Sequence, residues 1–276
     1  MEAEAKLPKF RRPPLIEVVH GIRFRPLPMT IAHPGLFYLQ IRDAYPQVQT
    51  VPPLLPIEET FGAGAPVIFQ VGLSSGAELP RAWFVSADDT MLVQLQQDRL
   101  LLNWRRSAGP ADPAEYPHFE AVSAEFRRVF AELVSFAADA GLGSIDPNQC
   151  EMTYINHIDD HPIAQRPEPA ELLTVWNSGN GPNFNLSLDD LAFTARYVLR
   201  NGDQRPLGRL TAALTTLIAP GHQRRVFQLE ITARGAPMGT GLPGVVAFHE
   251  LAHQQIVRCF AGITTEAAHI KWERWQ

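Results

Sequence analysis

Between residues 116 and 140, apolar side chains stand at Phe119, Val122, Phe126, Val129, Phe130, Leu133 and Ala137. Steps of three and four residues gather them into one stripe of an α-helix. Gly141 and Gly143 then break the helix. A helix this long with a single apolar stripe must lie on an apolar surface, and the segments before it supply a sheet. Residues 81–86, Met91–Gln96 and Arg99–Arg105 read as consecutive strands, the last two joined through a Gln97-Asp98 turn. Residues 15–25 read as another strand. Val18, His20, Ile22 and Phe24 share one face, and Glu17, Val19, Gly21 and Arg23 share the other. A helix over 34–45, a mostly irregular proline-rich stretch over 46–66 and a short strand over 67–73 fill the interval.

The second half repeats this order. A strand over 149–158 is followed by a polar, proline- and glycine-rich stretch over 159–182. Strands over 192–200, 207–218 and 224–233 follow, with turns at Asn201-Gly202-Asp203 and Pro220-Gly221. A long helix over 244–260 closes the half, and Thr264 or Thr265 caps a short terminal helix. Glu17 aligns with Glu151 and Phe24 with Ile158. The expectation is an α+β protein of two similar halves, each an antiparallel β-meander packed on one long helix, in the manner of an internal duplication. The corresponding boundaries are an N-terminal arm at 1–14, a first half at 15–145 and a second at 146–276. Whether the halves form one sheet or two stays open.

Composition narrows the classes of function. With 276 residues, 45% hydrophobic and 19% charged, the chain is long enough for a sizeable core and ordinary for a globular protein. A net charge of −5 argues against nucleic-acid binding, which calls for a basic excess. The basic residues Lys6, Lys9, Arg11 and Arg12 precede Pro13-Pro14 and read as a solvated arm. Cys150 and Cys259 lie far apart among apolar residues, as reduced thiols of a cytoplasmic protein do. No apolar run approaches the ~18 residues of a spanning helix, so no membrane association is expected.

Residues His249-Glu250-Leu251-Ala252-His253 spell H-E-x-x-H, which sets two imidazoles one helical turn apart with a carboxylate between them. As a zinc hydrolase the chain would use His249 and His253 as ligands and Glu250 as general base. The longer metzincin pattern fails, because Ile256 and Cys259 stand where glycine and histidine are needed. The third ligand would be Glu266, His269 or His157, the last only if its strand passes beside the C-terminal helix. On a helical wheel His249 falls inside the stripe of Val245, Ala252, Ile256, Phe260 and Ile263, with His253 at its flank. Interior histidines satisfied by hydrogen bonds account for that placement without metal.

A second polar concentration lies on the hairpin strands, at Gln94, Gln96, Asn103 and Arg105. It reads either as the wet face of an antiparallel sheet or as a binding groove walled by Trp83 or Trp104. Arg81, Arg99 and Arg105 there would suit a carboxylate or phosphate. An enzyme built on this hairpin predicts a closed pocket lined by Gln94, Asn103 and Arg105. The glycine-rich 239–244 stretch lacks the Lys-Ser/Thr of a P-loop, and no G-x-S-x-G elbow occurs.

The stretches Arg12-Pro-Pro-Leu-Ile-Glu-Val-Val19, Leu92-Val-Gln-Leu-Gln-Gln-Asp-Arg-Leu100 with Asn103-Trp104-Arg105, Tyr154-Ile-Asn156, and Leu251-Ala-His253 through Ile263-Thr264 resemble a sporadically distributed, functionally uncharacterised bacterial family of about this length. The resemblance covers nearly the whole chain. It implies that Ala252 and His253 belong to the family's pattern and that His249 does not, and it implies no reaction or cofactor. The expectation is therefore a non-catalytic cytosolic binding or accessory protein, acting with a protein partner or as a homo-oligomer in a bacterial defence or biosynthetic operon. The alternative is the zinc-dependent hydrolase.

Overall fold

A computed structural model describes residues 6–59, 61, 79–106, 115–162, 169–176, 188, 190–218 and 224–276, with 159–162 and 224 described by backbone alone. The chain is an α+β protein with one antiparallel sheet. Its strands are β1 (Leu15–Phe24), β2 (Gln47–Val51), β3 (Arg81–Val85), β4 (Met91–Gln96), β5 (Arg99–Arg105), β6 (Pro147–Pro162), β7 (Phe193–Arg200), β8 (Pro206–Ile218) and β9 (Arg224–Gly235). They lie in the order β2-β3-β4-β5-β1-β6-β9-β8-β7, so both meanders share one sheet and meet where β1 pairs with β6.

Helices α1 (His33–Ile41), α2 (His118–Asp139) and α3 (Gly241–Ile263) cover one face, and α4 (Glu266–Lys271) ends the chain. The expected alternation of β1 holds: Val18, His20, Ile22 and Phe24 are all buried, at 2% exposure or less. They share the helix-covered face with Leu100, Leu102 and Trp104 of β5, their register partners or neighbours. The stripe of α2 buries Val122, Phe126, Val129, Phe130 and Leu133, and α3 buries Val245, Phe248, Ala252 and Ile256. Each of these valine, leucine, isoleucine and phenylalanine side chains contributes roughly 1.5–3 kcal/mol of apolar burial. Gly141, at φ +67, terminates α2 as a residue free of a Cβ penalty can.

Several boundaries differ from the expectation. Gln47–Val51 is a strand, not loop: it pairs with β3 from Val48↔Phe84 outward, although most of it is exposed. As a sheet edge it has no apolar face to alternate, and Pro46 and Pro52 sit just outside it, where a missing N–H costs no ladder bond. Helix α1 ends at Ile41, four residues before the expected end, because the Ala44 and Tyr45 amides turn back onto the Ile41 carbonyl. Strand β6 continues to Pro162, into what reads as loop. The expected strand over 67–73 lies outside the described residues. The face opposite the helices is crossed by the 52–59 segment. Its Glu59 accepts from Arg209 (2.7 Å) and Arg234 (3.2 Å), and its Ile57 carbonyl accepts from Gln149 (3.0 Å).

No helix among the described residues is long and apolar enough to cross a membrane. Cys150 and Cys259 are free thiols, and burial pushes them up to about 12 and about 11.

Candidate ligand-binding site

The N-terminal arm is docked rather than solvated. Its backbone runs antiparallel to the chain end: the Lys9, Arg11 and Arg12 amides donate to the carbonyls of Gln276, Glu273 and Trp272, each at 3.2 Å, and the Trp275 amide donates to Lys9 (3.0 Å). Phe10 anchors it edge-on to Phe260 (5.5 Å between ring centres). Only the basic side chains stay outside; Lys6, Lys9, Arg11 and Arg12 are exposed, with the Lys9 ammonium 5.4 Å from the Trp275 ring centre.

Between this arm, the start of α2, β6 and the C-terminal half of α3 lies a cavity of about 370 Å³. That volume is within the ~300–1,000 Å³ range of small-molecule sites. Leu7, Phe10, Leu15, Phe119, Ile256 and Phe260 give it apolar walls. Its polar groups are few, and three of them form a chain. Tyr116 Oη lies 3.2 Å from Tyr154 Oη, which lies 2.7 Å from His253 Nδ1. The His253 ring stacks flat on Phe119, with centres 4.2 Å apart and planes within 7°, which fixes its plane. His118, at the cavity rim, holds a left-handed φ of +68, a conformation unusual for a residue with a Cβ.

The chain is electrically neutral. Burial pushes the His253 imidazole down to about 4, against a smaller upward pull from Glu120. Burial likewise raises the Tyr116 and Tyr154 phenols. The charged groups Lys9 and Glu120 lie at the rim and are exposed.

The H-E-x-x-H residues point to separate places. His249 is 1% exposed and faces the sheet, where its Nε2 lies 3.2 Å from the Gly21 carbonyl; burial pushes it down to about 4. His253, one turn on, faces the cavity through Tyr154. Glu250 is exposed. Of the third-ligand candidates, Glu266 is exposed and His269 is occupied by Thr264 (2.8 Å) and Arg274 (3.1 Å). His157 lies beside Gln228 on the sheet face away from the helices, odd-numbered like Thr153 where Tyr154 points to α3. Among the described residues no group of three or more His, Cys, Asp or Glu is gathered for a metal ion.

Of the hairpin polar residues, Gln94 and Asn103 are brought together, while Gln96 and Arg105 bond elsewhere. Gln94 donates to Asn103 (2.7 Å) and accepts from Arg81 (2.8 Å) and Trp83 (3.1 Å), while Asn103 donates to Glu17 (2.5 Å). Gln96 exchanges bonds with the Leu54 backbone, and Arg105 pairs with Asp89. Gln94 and Asn103 are about 5% exposed or less, so this is neither an open wet face nor a wall of the cavity.

His20 escapes a sequence reading as a functional residue. It is fully buried, stacks near Phe119 (5.6 Å), meets His249 edge-on (5.0 Å), and neither ring nitrogen has a described partner. The cavity also escapes it, because its walls come from five separate segments of the chain. The available signal is that Tyr154 alternates onto the helix-covered face of β6 while His253 flanks the stripe of α3.

No protein-family model matches this chain, and a search of curated proteins finds no match.

Proposed function

We propose that this chain is a non-catalytic binding protein and that the cavity beneath its N-terminal arm is the binding site. One observation carries the reading: an apolar cavity of about 370 Å³ into which a short, neutral hydrogen-bond chain, Tyr116–Tyr154–His253, projects its last member. Apolar walls with a few placed polar groups are the common form of a small-molecule site. The hairpin of Gln94, Gln96, Asn103 and Arg105 serves as a structural cross-link in this reading. A role as a cytoplasmic accessory subunit beside a partner protein, in a bacterial defence or biosynthetic operon, belongs to the same proposal and rests on the family resemblance alone. Zinc hydrolysis is the weaker reading, because His249, His253 and Glu250 face three different surroundings. Its measure is metal content: zinc well below one per chain after chelator-free purification removes it.

The halves also support the proposal of an internal duplication. From the centre outward the strands run β1-β5-β4-β3 on one side, where β2 adds a fifth strand, and β6-β9-β8-β7 on the other, and α2 follows β5 as α3 follows β9. Glu17 stands opposite Arg105, and Glu151 opposite Arg234. Laying β1 on β6 must then bring β5 onto β9; a superposition that does not overturns the duplication.

The binding reading is tested with N-phenylnaphthylamine, an uncharged dye that brightens in apolar sites. Saturable binding is expected, and Val257→Phe, which fills the cavity from α3, lowers the affinity at least tenfold. Equal binding by the filled variant moves the site elsewhere.

A further inference from the structure

The cavity's polar groups select among apolar ligands, and the selection follows from where their protons lie. On the reading of this cavity as the binding site, the direction of the chain Tyr116–Tyr154–His253 decides what the cavity accepts. Tyr154 has one hydroxyl proton and sits between two partners. If His253 donated from Nδ1, Tyr154 would donate to Tyr116, and the Tyr116 hydroxyl proton would have no described acceptor. If Tyr116 donates to Tyr154 and Tyr154 donates to Nδ1, the unpaired proton is instead the one on His253 Nε2, and the stronger donor, a phenol, meets the stronger acceptor, an imidazole nitrogen. The 2.7 Å separation suits a phenol donating to an imidazole nitrogen. A neutral imidazole carries one N–H, so in this direction the proton of His253 is on Nε2. Among the described residues no acceptor lies against it.

The interior therefore offers the His253 donor, apolar walls and no charge; its other buried polar group, the Asn156 amide, donates to the Leu229 carbonyl (3.2 Å), and Lys9 and Glu120 remain exposed at the rim. An ion entering such a space would lose its hydration without gaining a counter-charge. We propose that the ligand is an uncharged, mainly apolar molecule that presents a carbonyl or similar oxygen acceptor to the Nε2–H of His253.

Three probes of equal chain length separate the possibilities: decane, methyl octyl ketone and decanoate, each displacing N-phenylnaphthylamine at neutral pH. The ketone is expected to displace the dye at about five- to tenfold lower concentration than decane, the worth of one ~1 kcal/mol hydrogen bond. Decanoate is expected to be the weakest. His253→Phe keeps decane binding and abolishes the ketone's advantage, while His253→Gln, which retains a side-chain N–H donor, recovers part of it. Nitrogen-15 spectra of the wild-type histidines should show His253 protonated on Nε2. Decanoate binding tightest, ketone and decane binding alike, or a proton on Nδ1 each overturns the ligand assignment while leaving the cavity as a binding site. Failure of the dye itself to bind removes the cavity reading, and the assignment with it.

Discussion

The two polar clusters of this molecule sit on opposite faces of one sheet and differ in how they end. The hairpin cluster turns inward: Gln94, Asn103, Glu17, Arg81 and Trp83 bond to one another, and the Arg81 Nε alone among them is buried without a described partner. The other cluster runs Tyr116, Tyr154, His253 and stops at a cavity wall with a ring nitrogen unused. A cluster whose bonds run among its own members, away from any cavity, holds strands in register and presents little to a ligand. A cluster that ends open has paid for its burial in part only, and the remaining donor is available to something else. Polar residues concentrated in sequence look the same in both cases, and only the destination of the last hydrogen bond separates them.

Acid should separate them most strongly. Nothing in the hairpin core around Gln94 and Asn103 changes charge as histidines titrate, whereas the helix-covered side holds His249 and His253, each lowered to about 4 by burial, and His20, lowered by burial and its histidine neighbours. A histidine kept neutral when folded binds more protons unfolded. Its stabilisation is full above the ordinary value of 6.5 and is lost as the pH falls toward 4. By about pH 5 each such histidine costs about 2 kcal/mol, so His249 and His253 together remove about 4 kcal/mol. Urea unfolding at neutral pH and near pH 5 measures this, and His253→Gln should remove about 2 kcal/mol of the dependence, leaving the part due to His249 and His20. A flat profile would mean that these imidazoles are protonated in place, and the contrast between the clusters would fail.

A smaller effect is expected on the closed side. Asn103→Leu keeps the volume but strands the Gln94 amide and the Glu17 carboxylate, both partners of Asn103. The expected cost is about 2–3 kcal/mol by denaturant unfolding, with dye affinity unchanged. Lost dye binding in a folded Asn103→Leu protein would show that the two faces are coupled through β5 and β1.

The sequence pattern carried the elements that bury a regular face. The 3,4 spacing of α2, the alternation of β1 and the place of His249 within the stripe of α3 all follow from periodicity, because each faces one continuous apolar surface. Strand β2 did not, since an exposed edge strand has no face to encode. Nor did the clasp of the arm on the chain end, which is made by backbone amides and carbonyls that any side chains would allow. The pair of imidazoles at i and i+4 was legible as a pair, but their separation was not. One turn of helix carries His249 over the β1 backbone and His253 to its margin, and that difference depends on where the sheet lies beneath α3.

The smallest expected effect is the most specific. Tyr154→Phe deletes the hydroxyl between Tyr116 and His253 at a cost of about 1 kcal/mol, with the ring and its packing kept. Its value lies in the sign of the change in the His253 titration. If Tyr154 donates to Nδ1, the bond occupies the lone pair that protonation needs, and it contributes to holding His253 low. Its removal then shifts the imidazole upward, toward 6.5. If instead Nδ1–H donates to the Tyr154 oxygen, the bond favours the charged ring, and its removal shifts the imidazole further down. Histidine titration by nuclear magnetic resonance in the wild type and in Tyr154→Phe reads that sign directly. An upward shift places the proton of His253 on Nε2, where a ligand oxygen can accept it; a downward shift leaves Nε2 as an acceptor, and the cavity would then select for donors.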